Sequence, residues 1–333
     1  MITLVTGATG FVGLNIVEAL LERGDEVIAF GQSEMPAAAL QDFRRFGKQL
    51  EVVRGDVRDR AQVSALFAHR RIDRLVHAAV ITAGAEREKS EPHTILDVNI
   101  VGTAQVLGAA RERDVGRIVY VSSGSAYGDA VFTESRLYED ETRERPSTLY
   151  QISKFAAERS ALRLRDLWQL DLVCTRLGSV IGPWELDTGA RDMLSTHFQL
   201  ARLAAAGGIA ILPQRELVRD LVYSRDVAAG IVALLEAKAP SHVLYNLSSG
   251  HAWRDAMSAW GEQLKAVHPG FTYRVAADGE EPNVRSADTQ DRGSMDVDRI
   301  ARDIGFTPRF GPREAYADFG DWLRRHPDYF KAN

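Results

Sequence analysis

The first half of the chain repeats one pattern: a short run of β-branched and apolar residues, then a longer stretch whose apolar positions recur every three to four residues. That alternation predicts βαβ units and a parallel sheet. The runs place strands over residues 2–5, 27–30, 50–53, 75–79, 118–122 and 172–176, with a later one over 243–247. Between the first two, Val12, Ile16, Val17, Leu20 and Leu21 share one helical face. Asn15, Glu18, Glu22 and Arg23 are expected on the opposite, solvated face, and Gly24 is expected to stop the helix.

Past residue 178 the alternation gives way to irregular stretches such as Gly182-Pro183-Trp184 and Gly207-Gly208, and from Gly250 onward the sequence reads as short helices and loops. The expected fold is α/β, a Rossmann-type doubly wound parallel sheet with a smaller, discontinuous α/β substrate domain. Residues 1–178 plus 219–249 would form the first unit, and 179–218 plus 250–333 the second. No internal repeat or low-complexity tract interrupts either.

Composition narrows the function classes. The chain has 333 residues, 45% hydrophobic, with 41 basic and 46 acidic side chains for a net charge of -5. No basic tract suits a phosphate backbone, so nucleic acid is not an expected partner. Met1 runs straight into Ile2-Thr3-Leu4-Val5 with no charged leader or membrane-length apolar stretch, which predicts a cytoplasmic protein without a membrane partner. The single cysteine, Cys174, sits in a strand-like run and reads as a small buried hydrophobe. No metal site is expected.

Candidate chemistry begins directly after the first strand. Thr6-Gly7-Ala8-Thr9-Gly10-Phe11-Val12-Gly13 puts a glycine-rich turn at the start of the first helix. The free N–H groups and positive dipole end there attract a pyrophosphate, and glycine lets the backbone approach it. The second strand ends Gly31-Gln32-Ser33, without the carboxylate that often binds the adenosine ribose and without an arginine to take a 2′-phosphate. Asp56, after the third strand, could accept the adenine amino group or serve as a helix cap.

Tyr150 and Lys154 stand four residues apart, on one face of a helix. A neighbouring ammonium and the positive charge of an oxidised nicotinamide favour a phenolate, which can take a hydroxyl proton as hydride departs. The run from Val119 through Val121, Ser122, Ser123, Gly124 and Ser125 to Gly128 ends a strand in serines, at the sheet edge where ligands bind in such folds.

These motifs resemble the extended short-chain dehydrogenase/reductase family, also called the NAD-dependent epimerase/dehydratase family. The resemblance spans nearly the whole chain. It includes Gly7, Gly10 and Gly13, the Asp56-Val57 pair, His77-Ala78-Ala79, Val98-Asn99, Ser123 ahead of Tyr127-Gly128, Tyr150/Lys154, Gly182-Pro183, Arg219-Asp220 and Gly305-Phe306-Thr307-Pro308. It implies an NAD(P) cofactor, NAD favoured over NADP, with Ser123 holding the substrate oxygen and Tyr150 as acid/base. Lys154 would bind the nicotinamide ribose and Asn99 would support the hydrogen bonds. Relatives commonly pair through the helix bearing Tyr150, so a homodimer is expected, with Ile152, Phe155, Ala156 and Leu162 as its face.

Departures from the family pattern narrow the reaction. The dehydratases carry an Asp-Glu pair after the catalytic hydroxyl, where this chain has Gly124 and Ser125, so dehydration is disfavoured. Arg176-Leu177-Gly178-Ser179 and Arg191 resemble the segments with which uronate dehydrogenases grip a sugar acid. Arg219 instead matches the diphosphate-binding arginine of nucleotide-sugar epimerases, or pairs structurally with Asp220 or Asp226. Trp184 either stacks on a sugar or packs in the core. The first expectation is an oxidoreductase acting on a secondary hydroxyl of a sugar, sugar acid or polyol. A nucleotide-sugar epimerase is the alternative, and an inactive NAD(P)-binding sensor a third reading.

Overall fold

The computed structural model describes residues 1–68, 71–286 and 288–330. Its central element is a seven-stranded sheet in which every pairing is parallel. Five strands come from the first half: β1 (Ile2–Thr6), β2 (Glu26–Gly31), β3 (Leu50–Arg54), β4 (Arg74–His77) and β5 (Arg117–Ser123). Strands Leu172–Leu177 and Leu244–Leu247 extend the sheet beyond β5, giving the order Leu244–Leu247, Leu172–Leu177, β5, β4, β1, β2, β3. All seven expected strands are present, in an α/β Rossmann-type fold. The chain runs outward from β1 to β3 and then crosses back to β4, so the order reverses between β1 and β4. That reversal opens a crevice at the strands' carboxyl ends.

β4 stops at His77, two residues earlier than its apolar run suggests. The chain turns at Ala78 and Ala79 to pass under the glycine turn, so closely that a Cβ on Gly7 would lie 2.7 Å from the Ala78 carbonyl carbon. Gly7 itself has φ +69, a conformation glycine adopts freely.

Two expectations for the helix Phe11–Glu22 are overturned. Asn15 and Glu18 are buried, at 3% and 6% exposure, because the helix is covered on its second side by the helix Ser224–Glu236 and by residues 183–184. Asn15 Nδ2 donates to the Pro183 carbonyl at 2.9 Å, and Ser224 Oγ donates to Asn15 Oδ1 at 2.9 Å. Glu18 Oε2 accepts the Trp184 indole N–H at 2.9 Å. Trp184 is therefore core: it is fully buried against Phe43, Trp322 and Tyr329 and is not available to stack on a sugar.

Beyond the sheet, Ser179–Ile181 pairs with Leu221–Tyr223, and Ile209–Leu212 with Thr272–Val275. Helices Ala256–Val267 and Pro312–Arg325 bury Trp260, Phe319 and Trp322 in the same core as the first helix. Cys174 is fully buried, and burial holds its thiol well above the ordinary range. No helix among the described residues is long and apolar enough to cross a membrane.

Candidate active site

The crevice is a cleft of about 1620 Å³, larger than a pocket for one small ligand. Every residue expected to face the cofactor lines it except His77, and so do Ser123, Gly124, Ser125, Ser179, Arg191 and Arg219. The glycine turn leaves a cradle of bare backbone. Gly10 precedes the first helix without a side-chain cap, and the first turn holds no acid, so the dipole end opens on the cleft. A Cβ on Gly13 would lie 2.1 Å from the Gly7 carbonyl oxygen, and one on Gly31 would lie 2.3 Å from Thr9 Oγ1. A dinucleotide's pyrophosphate fits this cradle of bare backbone, and a side chain at Gly13 or Gly31 would displace the atoms that shape it.

Beside the end of β2, Asp56 is held by Arg58, with Arg58 Nη2 2.6 Å from Asp56 Oδ2. That hydrogen bond keeps the Asp56 carboxyl below its ordinary range. Helix capping falls instead to Asp59, whose Oδ1 accepts Ala61 N at 2.9 Å. Arg54 Nε donates to the Gln32 carbonyl at 3.1 Å. Two arginines thus stand beside Gly31-Gln32-Ser33 although none occurs within that turn. Sequence reading missed them because they lie some twenty residues downstream and arrive through β3.

The helix Leu149–Trp168 carries Tyr150 and Lys154 into the cleft. Its start is fixed by a capping box in which Gln151 N donates to Thr148 Oγ1 at 3.3 Å and Thr148 N donates to Gln151 Oε1 at 3.2 Å. Glu88 Oε1 accepts Tyr150 N at 3.1 Å, a contact with no sequence signal. Lys154 is 3% exposed, and burial lowers its pKa to about 8.

Two serines end β5, and their hydrogen bonds separate them. Ser122 Oγ donates to Glu158 Oε2 at 2.7 Å and is committed. Ser123 Oγ only accepts, from Ser125 N at 3.1 Å, which leaves its proton for a ligand.

Asn99 and His77 are set back from the cleft. Asn99 lies in a π-helical turn, Asp97–Val101, where its amide brackets Ile81 and donates to Ser153 Oγ at 2.9 Å. Ser153 Oγ in turn donates to the Tyr150 carbonyl at 2.9 Å, so Asn99 braces the turn that carries Tyr150. His77 lies 2.6 Å from Thr6 Oγ1 and 3.0 Å from Thr103 Oγ1, and burial with the nearby Lys154 charge lowers its pKa to about 3.

On the opposite wall, Arg219 meets Ser286 Oγ at 2.6 Å and Asp288 Oδ2 at 2.8 Å, not Asp220 or Asp226. Asp226 instead accepts the backbone N–H groups of Arg309 and Phe310. Arg191 reaches Glu185 at 3.1 Å and the Met193 carbonyl at 2.9 Å. Arg176 does not enter the cleft; it is buried between Glu158 and Glu144. No cluster of three or more His, Cys, Asp or Glu side chains among the described residues could hold a metal ion.

Fold and cleft together define a dinucleotide-dependent enzyme of the extended short-chain dehydrogenase/reductase type. The chain belongs to the NAD dependent epimerase/dehydratase family, whose sequence profile matches residues 3–248. It is 32% identical over 345 residues to the sterol demethylase protein B of Methylococcus capsulatus, covering 97% of this chain and 98% of the relative. It is 30% identical over 275 residues to a UDP-glucose 4-epimerase of Neisseria meningitidis serogroup C, covering 75% and 78%. Among solved structures it resembles MoeE5 in complex with UDP-glucuronic acid and NAD, at 25% identity and a TM-score of 0.76, over 98% of this chain and 100% of that one.

Proposed function

We propose that this protein interconverts epimers of a nucleotide sugar by oxidising one secondary carbon and reducing it again from the other face. The observation that carries the reading is the shared cleft: the glycine cradle, Ser123, Tyr150 and Lys154 line it on one side, and Arg219 lines it on the other. The epimerase relatives and the nucleotide-sugar complex of MoeE5 favour this over net oxidation of a free sugar.

A nicotinamide cofactor held in the cradle of Gly7, Gly10 and Gly13 would supply the site for hydride to leave to and come back from. Tyr150 takes the hydroxyl proton through its phenol oxygen and gives it back to the same oxygen. Ser123 donates its free proton to that oxygen and steadies the charge that develops there. Lys154 holds the ribose and, as a cation, stands one helical turn from Tyr150. Asn99 and Glu88 keep the helix turn in place from behind. Arg219 would release Asp288 or share it while meeting the diphosphate.

NAD is favoured over NADP, because Asp56 presents a carboxylate beside Arg58 and Glu34 lies 3.4 Å from Arg54, leaving little net charge for a 2′-phosphate. The same proposal covers a division of labour, with residues 1–178 plus 219–249 holding the cofactor and the remainder shaping the substrate side. It also covers a cytoplasmic homodimer, for which the exposed Ile152 and half-buried Phe155 supply part of a face.

A second reading, net oxidation of a secondary alcohol, is favoured by one observation: the Arg219 guanidinium is already engaged by Ser286 and Asp288 through its two Nη atoms, with its Nε left without a hydrogen-bond partner among the described residues. One experiment separates the two. The enzyme is incubated with NAD or NADP and UDP-glucose, UDP-galactose or UDP-glucuronate, beside free uronates, polyols and a sterol alcohol. Products and absorbance at the reduced-nicotinamide band are followed together. Isomer interconversion without net cofactor reduction supports the epimerase, and stoichiometric reduced cofactor with a non-nucleotide alcohol overturns it.

A further inference from the structure

Lys154 has more than the cofactor to hold on to. Its ammonium donates to the Val121 carbonyl at 2.8 Å and to the Tyr120 phenol oxygen at 3.2 Å, and it lies 4.9 Å from the centre of the Tyr120 ring. Tyr120 belongs to β5, is 1% exposed and does not line the cleft. Burial pushes its own titration far up, so the phenol stays neutral.

The proton arrangement around it runs one way. Thr103 Oγ1 donates to the Asn99 carbonyl at 2.8 Å, so its own proton is used. An ammonium can only donate, so the Tyr120 phenol oxygen is the acceptor of the Lys154 contact. His77 closes the same cluster from β4, 3.0 Å from Thr103 Oγ1.

We propose that Tyr120 is a positioning residue that acts through Lys154: its phenol oxygen accepts from the ammonium and keeps the lysine charged and aimed into the cofactor cleft. This rests on the hydride-transfer reading above. The other groups facing Lys154 are Glu158 on its own helix, Cys174 on the neighbouring strand, His77 on β4 and Tyr150. Of these, only Glu158 brings a full negative charge, and its carboxylate is engaged by Arg176 and Ser122. Tyr120 is therefore the polar side chain that meets the ammonium directly.

The test is Tyr120→Phe, which keeps the ring beneath the ammonium and removes only the oxygen. Two profiles are measured against pH: NAD affinity by calorimetry, and turnover with the best substrate of the panel. Activity that needs the lysine cation is present below the Lys154 pKa and lost as pH rises through it. Removing a group that favours the cation moves that alkaline limb to lower pH, by about one unit. NAD affinity at pH 6 should stay within about threefold and the melting temperature should change little. Superimposable alkaline limbs in both profiles would overturn the inference. A shifted binding limb in an enzyme that turns over no member of the panel would sustain it and reject the hydride-transfer reading instead.

Discussion

Arg176 Nη2 stands 2.6 Å from Glu158 Oε1, and neither side chain is exposed to solvent. Glu158 Oε2 also accepts Arg176 Nε at 2.9 Å and the Ser122 hydroxyl, so one buried carboxylate holds the strand Leu172–Leu177, the end of β5 and the Tyr150 helix together. Glu158→Gln leaves Arg176 with Glu144 alone as a charged partner. The expected cost is about 3–5 kcal/mol of unfolding free energy, measured by urea denaturation. A change below about 1 kcal/mol would mean the cation finds water or another partner.

Tyr150→Phe should lower turnover at least a hundredfold, roughly the scale of a lost acid/base group, while NAD affinity stays within a few-fold. Single-turnover kinetics beside calorimetry would check this. Turnover retained at wild-type rates would remove Tyr150 from the mechanism.

Gly13→Ala tests the cradle. Its new Cβ would meet the Gly7 carbonyl oxygen at 2.1 Å, a contact only backbone movement relieves. Cofactor affinity should fall by two orders of magnitude or about that, with the fold retained by circular dichroism. Gly47, where added bulk meets nothing within 4 Å, has a positive φ of 55, so it tests strain without cofactor contact.

Much of this was legible beforehand. Strand positions followed from β-branched runs, and the glycine turn and the Tyr150/Lys154 spacing singled out residues that the fold brings to one cleft. What failed to show was whatever depends on a second layer. Asn15 and Glu18 look like a solvated helix face until Trp184 and Ser224 arrive from far along the chain. Arg54 and Arg58 reach the end of β2 only through the pairing of β3 with β2, and Asp288 finds Arg219 across sixty-nine residues. Polar residues buried by distant partners carry no local periodicity, so they read as surface.

Asp220 offers a pH test. Burial raises its pKa to about 7, although Ser248 Oγ and Met295 N both donate to it. A carboxyl whose folded pKa exceeds the unfolded one adds stability at low pH that is lost as pH rises from about 4 through about 7. Asp220→Asn should flatten that decline, with the variant's melting temperature gaining most on the wild type above pH 7. Parallel curves for the two proteins would place the carboxylate in better-solvated surroundings.

Arg219→Gln separates the two readings of the substrate side. For a nucleotide sugar, KM should rise by about tenfold or more with kcat less affected, as one charged hydrogen bond to a diphosphate is lost. For a non-nucleotide alcohol KM should hold.

The order in which the chain meets its own partners has a consequence for synthesis. The sheet is completed only when Leu244–Leu247 pairs with Leu172–Leu177, and the cover on the first helix is complete only when Ser224–Glu236 joins residues 183–184 there. Until those residues leave the ribosome, Asn15 Oδ1 lacks the Ser224 hydroxyl and Leu172–Leu177 presents an open edge. The nascent chain must wait, unfinished, through most of its own translation, and it is during that interval that a chaperone would find its binding surface.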